Sequence, residues 1–174
     1  STDDKEGRKV VWAEGHEVSM PLDINKYEPP IPTQLAGEVY ACGGITGYSD
    51  PENIKKFPDA IPEGMEVVAS EKLHGSCCVV YYDGTNVHVA SKGFASKGLA
   101  IEDSRDTTGR RTNFYWRCVE NEGVDKALAR ISEAFGGLPV TLYGEALPAQ
   151  DLKYGIDPQK PTIRAFDIKV GHSY

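Results

Sequence analysis

The chain has 174 residues, of which 40% are hydrophobic and 26% charged, enough for one domain with its own core. No apolar run approaches the length of a membrane span, and no signal-peptide pattern opens the chain. A net charge of −7 argues against a partner held by overall positive charge, although a local basic groove can sit on an acidic body.

Residues 1–36 start charged and become proline-rich. Pro21, Pro29, Pro30 and Pro32 break any long helix, and the stretch is expected to be an extended arm or linker. Residues 41–64 are loop-rich, with Gly43-Gly44, Gly47, Pro51, Pro58 and Pro62. Regular structure is expected from Met65. "EVVASEKL" is a short strand candidate. "SCCVVYYDG" is rich in β-branched and aromatic residues, which suit a pleated surface. Asp83-Gly84 marks a turn and "NVHVAS" alternates after it, so residues 76–91 read as a β-hairpin. A helix is expected near residues 112–121. Val124, Leu128, Ile131 and Phe135 then fall on one face of a second helix, which Gly136-Gly137 ends. "VTLYGEAL" after Pro139 and "TIRAFDIKV" after Pro161 are strands. In the latter, Arg164, Phe166, Ile168 and Val170 should share one face, with Ala165, Asp167 and Lys169 on the other. This is a mixed α+β pattern, without the regular alternation of a doubly wound parallel sheet.

Cys42, Cys77, Cys78 and Cys118 form no C-x-x-C pair, and His16, His74, His88 and His172 have no metal-ligand spacing. Free thiols in a reducing compartment, cytoplasmic or other, are the expectation. Cys77 and Cys78, adjacent in a strand, should point to opposite faces. Lys92, Lys97, Arg105, Arg110, Arg111 and Arg117 crowd one stretch and mark where a basic groove would lie; a solvated surface is the plainer reading.

Chemistry concentrates at Glu71-Lys72-Leu73-His74-Gly75-Ser76. Gly75 lets backbone approach a ligand. A lysine amine held partly buried beside other cations loses its proton more easily and becomes a nucleophile. A K-x-x-G string alone is unspecific, but other segments support it. "EKLHGS" resembles motif I of the covalent nucleotidyltransferases, the superfamily of RNA ligases, DNA ligases and mRNA capping enzymes. Histidine in the third place, His74, resembles the nick-sealing RNA ligases in particular. Ser91-Lys92-Gly93 resembles motif Ia, Tyr143-Gly144-Glu145 motif III, and "RAFDIKV" (164–170) motif IIIa, in the family's order. The resemblance covers roughly residues 65–170, and "KYEPPIP" looks like the connector to an N-terminal OB module.

The resemblance implies an ATP-dependent RNA ligase whose adenylyltransferase domain has antiparallel sheets with inserted helices. The implied layout is an arm over 1–36 and a nucleotidyltransferase domain over 37–174. Motifs IV and V are missing and no OB module is visible before the arm, so the chain is expected to be incomplete at both ends. Lys72 would form lysyl-AMP. Glu71, Leu73, His74, Gly75, Lys92, Glu145 and Phe166 would bind nucleotide, Glu145 also contacting the ribose or a divalent metal, Mg2+ or Mn2+. Phe166 would stack on adenine; its alternative is a core position. Lys92 stands where many relatives carry arginine, which leaves Lys97 as a rival. Lys97, Asn113, Tyr115 and Arg117 are weaker candidates for RNA contact, with a helix surface as the plainer reading. The implied partner is a nicked RNA duplex with 5′-phosphate and 3′-hydroxyl ends, with no membrane and a monomeric protein. A DNA ligase, a capping nucleotidyltransferase or a non-catalytic nucleic-acid-binding module of the same fold are the alternatives.

Overall fold

The computed structural model describes residues 2–3, 6–16, 18–24 and 38–173. The chain divides into two units, Ser1–Ala36 and Gly37–Tyr174. In the first, Thr2–Asp3 (β1) pairs antiparallel with Lys9–Val10 (β2). Most of the proline-rich stretch, residues 25–36, lies outside the described residues.

Among the described residues, the second unit is a six-stranded sheet with three α-helices. Its strands are Val39–Ala41 (β3), Ser76–Tyr82 (β4), Val87–Ser91 (β5), Leu99–Ile101 (β6), Val140–Leu147 (β7) and Thr162–Val170 (β8). The spatial order is β3-β6-β5-β4-β7-β8 and every pairing is antiparallel. The mixed α+β class and the inserted helices agree with the sequence. The hairpin is β4–β5, closed by Asp83, whose Oδ1 accepts from the N–H groups of Thr85 and Asn86, both at 2.7 Å.

Phe114–Glu122 (α2) begins at Asn113, whose side-chain oxygen accepts from Tyr115 N at 2.9 Å and Trp116 N at 3.3 Å. Gly123, at φ 61°, ends it in the left-handed region. Val124–Ala134 (α3) follows directly. Leu128 is fully buried, and its neighbours on that stripe pack on the sheet. Phe135, expected on the same face, is instead 58% exposed. The helix stops at Ala134, so the periodicity no longer governs where the Phe135 ring points.

The sheet is packed on both sides. On one, Cys78, Val80, Val89, Ile101, Val140 and Ala146 meet Trp116, Val119 and Leu128 of the helices. On the other, Val79, Ala90, Ala100 and Tyr143 meet Cys42, Ile45 and Ala95, the last on Lys92–Ala95 (α1). Burying each such side chain contributes on the order of 1.5–3 kcal/mol before the entropy of ordering is counted. Cys77 and Cys78 do part to opposite faces: Cys78 is fully buried under the helices and Cys77 half-buried on the far side.

Two sequence expectations are corrected. "EVVASEKL" forms no strand, because no described residue supplies a ladder partner to it; Val68 is 95% exposed. The strand β8 is not a simple two-face repeat. Gly144 pairs with Ala165 but Tyr143 pairs with Asp167, so Phe166 is the extra residue of a β-bulge. Beyond the bulge the faces exchange. Asp167 and Lys169 join Arg164 on the side of Tyr143 and Glu145, while Ile168 and Val170 turn to the helix side.

Candidate active site

The sheet face opposite α2 and α3 carries Tyr143, Glu145 and Phe166, and α1, which opens at Lys92, packs on it. Register places Cys77 directly across from Glu145, and Glu145 across from Arg164. Lys72 lies just before β4 and is exposed, in contrast to the partly buried setting expected for its amine. Glu71 and His74 are also exposed, and Leu73 is half-buried.

Three hydrogen bonds hold this segment, one to the sheet, one to the loop of residues 148–161 and one to α2. Gly75 N–H donates to Glu145 Oε1 at 2.8 Å. His74 N–H donates to the Tyr154 hydroxyl at 2.7 Å. The Ser76 and Tyr115 hydroxyls share a hydrogen bond of 2.7 Å. Gly75 is required by space: a Cβ there would lie 2.4 Å from Ala146 O and 2.6 Å from Leu147 Cδ2. The glycine thus lets motif I close against the strand that carries Glu145.

Lys92 opens α1, with Ser91 as its N-cap, and its Nζ lies 2.5 Å from Asp50 Oδ1. Burial and the Glu145 carboxylate push the Cys77 thiol up, while Lys92 pulls it down. Glu145, Lys92 and Asp50 therefore each lie within electrostatic reach of Cys77. Lys97 is exposed just past α1.

The bulge turns Phe166 toward Tyr48, whose ring lies edge-on to it at 5.0 Å and tilted against Tyr143 at 5.1 Å. Thr46 Oγ1 is 3.2 Å from the Tyr143 hydroxyl, which ties residues 42–50 to this face. Phe166 is 49% exposed, so the core alternative for it falls away.

The basic stretch is largely committed within the fold. Arg111 forms a two-point pair with Asp103, at 2.8 and 3.0 Å, and lies over Trp116 at 4.8 Å. Arg105 meets Asp103 and Glu120. Arg110 and Arg117 both donate to the Gln159 carbonyl, at 3.0 and 2.7 Å. The side chains of Asn113 and Tyr115 serve as helix cap and as partner of Ser76. These contacts give Arg117, Asn113 and Tyr115 structural work apart from any RNA contact.

Tyr154, Tyr48 and Asp50 were missed by sequence reasoning. They lie in loops without periodicity, and their partners are far away in the chain; only the Tyr-Gly pair at 154–155 hinted at a turn.

A family model described as RNA ligase matches residues 65–173, well over half of the chain. The chain belongs to the RNA ligase family. Among solved structures it is similar to Naegleria gruberi RNA ligase with PPi, with TM-score 0.54 and 22% identity. Two variants of that ligase, each with AMP and Mn, give TM-scores of 0.55 and 0.52 at 24% and 23% identity. These likenesses show the fold. Each alignment covers 88% of this chain and 42% of the other, so the chain spans less than half the length of those ligases. No curated protein matches.

Proposed function

We propose that Gly37–Tyr174 is the ATP-dependent adenylation unit of an RNA ligase and that Lys72 is its nucleophile. The observation that carries this reading is the 2.8 Å bond from Gly75 N–H to Glu145 Oε1, which joins the lysine's segment to the motif III carboxylate.

In the first step Lys72 Nζ attacks the α-phosphorus of ATP. An N–P bond forms, the bond to the β-phosphate oxygen breaks, pyrophosphate leaves with the electron pair, and the amine proton goes to solvent. AMP then passes to an RNA 5′-phosphate, and a 3′-hydroxyl attacks that phosphate and expels AMP. Phe166 offers a half-exposed ring for stacking on adenine. Lys92, paired with Asp50, offers a cation for ribose or phosphate.

Among the described residues, no three His, Cys, Asp or Glu side chains converge as an all-protein metal site. One carboxylate, Glu145, together with ATP phosphates and water is the donor set that suits Mg2+ or Mn2+. A metal bound there would neutralise the charge that develops during phosphoryl transfer. The substrate in this reading is a nicked RNA duplex, read through its 2′-hydroxyls, and the protein is a monomer. No helix among the described residues is long and apolar enough to cross a membrane. The free thiols suit a reducing compartment.

The test is incubation with α-labelled ATP and a divalent metal, followed by denaturing electrophoresis. The expected result is label on the chain, lost in Lys72→Ala and discharged by 5′-phosphorylated nicked RNA. Label that stays in Lys72→Ala contradicts the assignment, label that nicked RNA fails to discharge contradicts the ligase steps, and a chain that takes no label favours the non-catalytic binding module.

A further inference from the structure

We propose that Tyr154 is a positioning residue for Lys72, acting through the backbone of His74. The proposal rests on the adenylation reading above.

Tyr154 stands on the loop of residues 148–161, which joins the two strands that carry Glu145 and Phe166. That loop is anchored at its far end by α2 and by the loop before it. Arg117 donates to the carbonyls of Pro158 and Gln159, Arg110 to Gln159, and Asn121 Nδ2 to the Pro161 carbonyl at 2.8 Å. In its middle, Ile156 N–H closes a turn on the Lys153 carbonyl at 2.9 Å. Within that turn Tyr154 has φ 51°, a left-handed conformation that a non-glycine residue rarely adopts. The conformation accompanies an aimed side chain: the hydroxyl accepts the His74 N–H at 2.7 Å.

The consequence is a divided grip on motif I. Glu145 holds Gly75 from the sheet, and Tyr154 holds His74 from the loop. Lys72 is two residues from that second grip, on an exposed segment with no ladder of its own. Fixing the His74 amide restricts the arc through which the lysine side chain swings. The Glu145 bond, by contrast, holds Gly75 on the far side of His74 from Lys72. Loss of the Tyr154 bond should therefore slow attack on bound ATP more than it weakens ATP binding.

Tyr154→Phe removes one oxygen and keeps the ring. Amide hydrogen exchange, followed residue by residue by NMR, should be about fivefold faster at His74 and unchanged at Gly75. Lysyl-AMP formation at saturating ATP should slow about fivefold, with KM for ATP within about twofold and the melting temperature unchanged. Unchanged exchange at His74 would overturn the proposal, and so would an unchanged rate despite faster exchange. A rise in KM alongside a fall in melting temperature would make Tyr154 a packing residue only. An unlabelled parent would overturn the adenylation reading and this proposal with it. A labelled parent whose variant keeps its full rate would overturn this proposal alone.

Discussion

Position 75 admits a hydrogen atom and nothing larger, since a Cβ would fall 2.4 Å from Ala146 O. That constraint is geometric, and a K-x-x-G string shows the glycine without the carbonyl it must clear. The same limit applies to Phe166. Sequence placed it between stacking and packing, because Ile168 and Val170 were expected on its face. The bulge removes both from that face and leaves the ring half-exposed against Tyr48. Phe166→Ala should therefore raise the ATP concentration needed for lysyl-AMP formation by about tenfold. It should have little effect on the melting temperature. An unchanged ATP dependence with a lower melting temperature would return Phe166 to a packing role. Lys72, His74, Gly75 and Glu145 were legible because they fall in short strings of fixed spacing. Tyr154 and Tyr48 were not, because their roles arise from contacts across 80 and 118 positions of sequence.

Among elements, β4, β5, β7, β8 and α3 were readable from alternation, helical spacing and glycine punctuation. The three-residue strands β3 and β6 were not. Each is too short to show a period, and their pairing depends on the rest of the sheet. "EVVASEKL" shows the converse: β-propensity without a ladder partner yields no strand. The β4–β5 turn has an electrostatic signature. Burial raises the Asp83 carboxyl, but the Asn86 and Thr85 N–H groups and the His88 ring outweigh it and hold the pKa at about 2. A folded pKa below the unfolded value of about 3.9 gives stability that is present above that value and lost as pH falls through the folded one. Asp83→Asn keeps an oxygen acceptor for the turn and removes the charge. The parent should melt higher than this variant above about pH 4, and the gap should close as pH approaches about 2. Thermal melts across that range check it, and a gap independent of pH would contradict it. The side chain is one-third exposed, so solvent screening keeps the effect small.

The whole second unit is a sheet packed on both faces, with the proposed site on the side away from α2 and α3. Helix-side contacts hold the strands in register. The thinner far side, under residues 42–50 and α1, leaves Glu145 only half-buried and Phe166 half-exposed. Family membership rests on residues 65–173, and the chain spans 42% of the solved ligases it is similar to. The measurement that tests the account most directly is peptide mapping by mass spectrometry after incubation with ATP and Mn2+. The account predicts one AMP per chain, attached through Lys72 and absent without metal. An adduct on Lys92, Lys97 or another lysine, or no adduct at all, would contradict it.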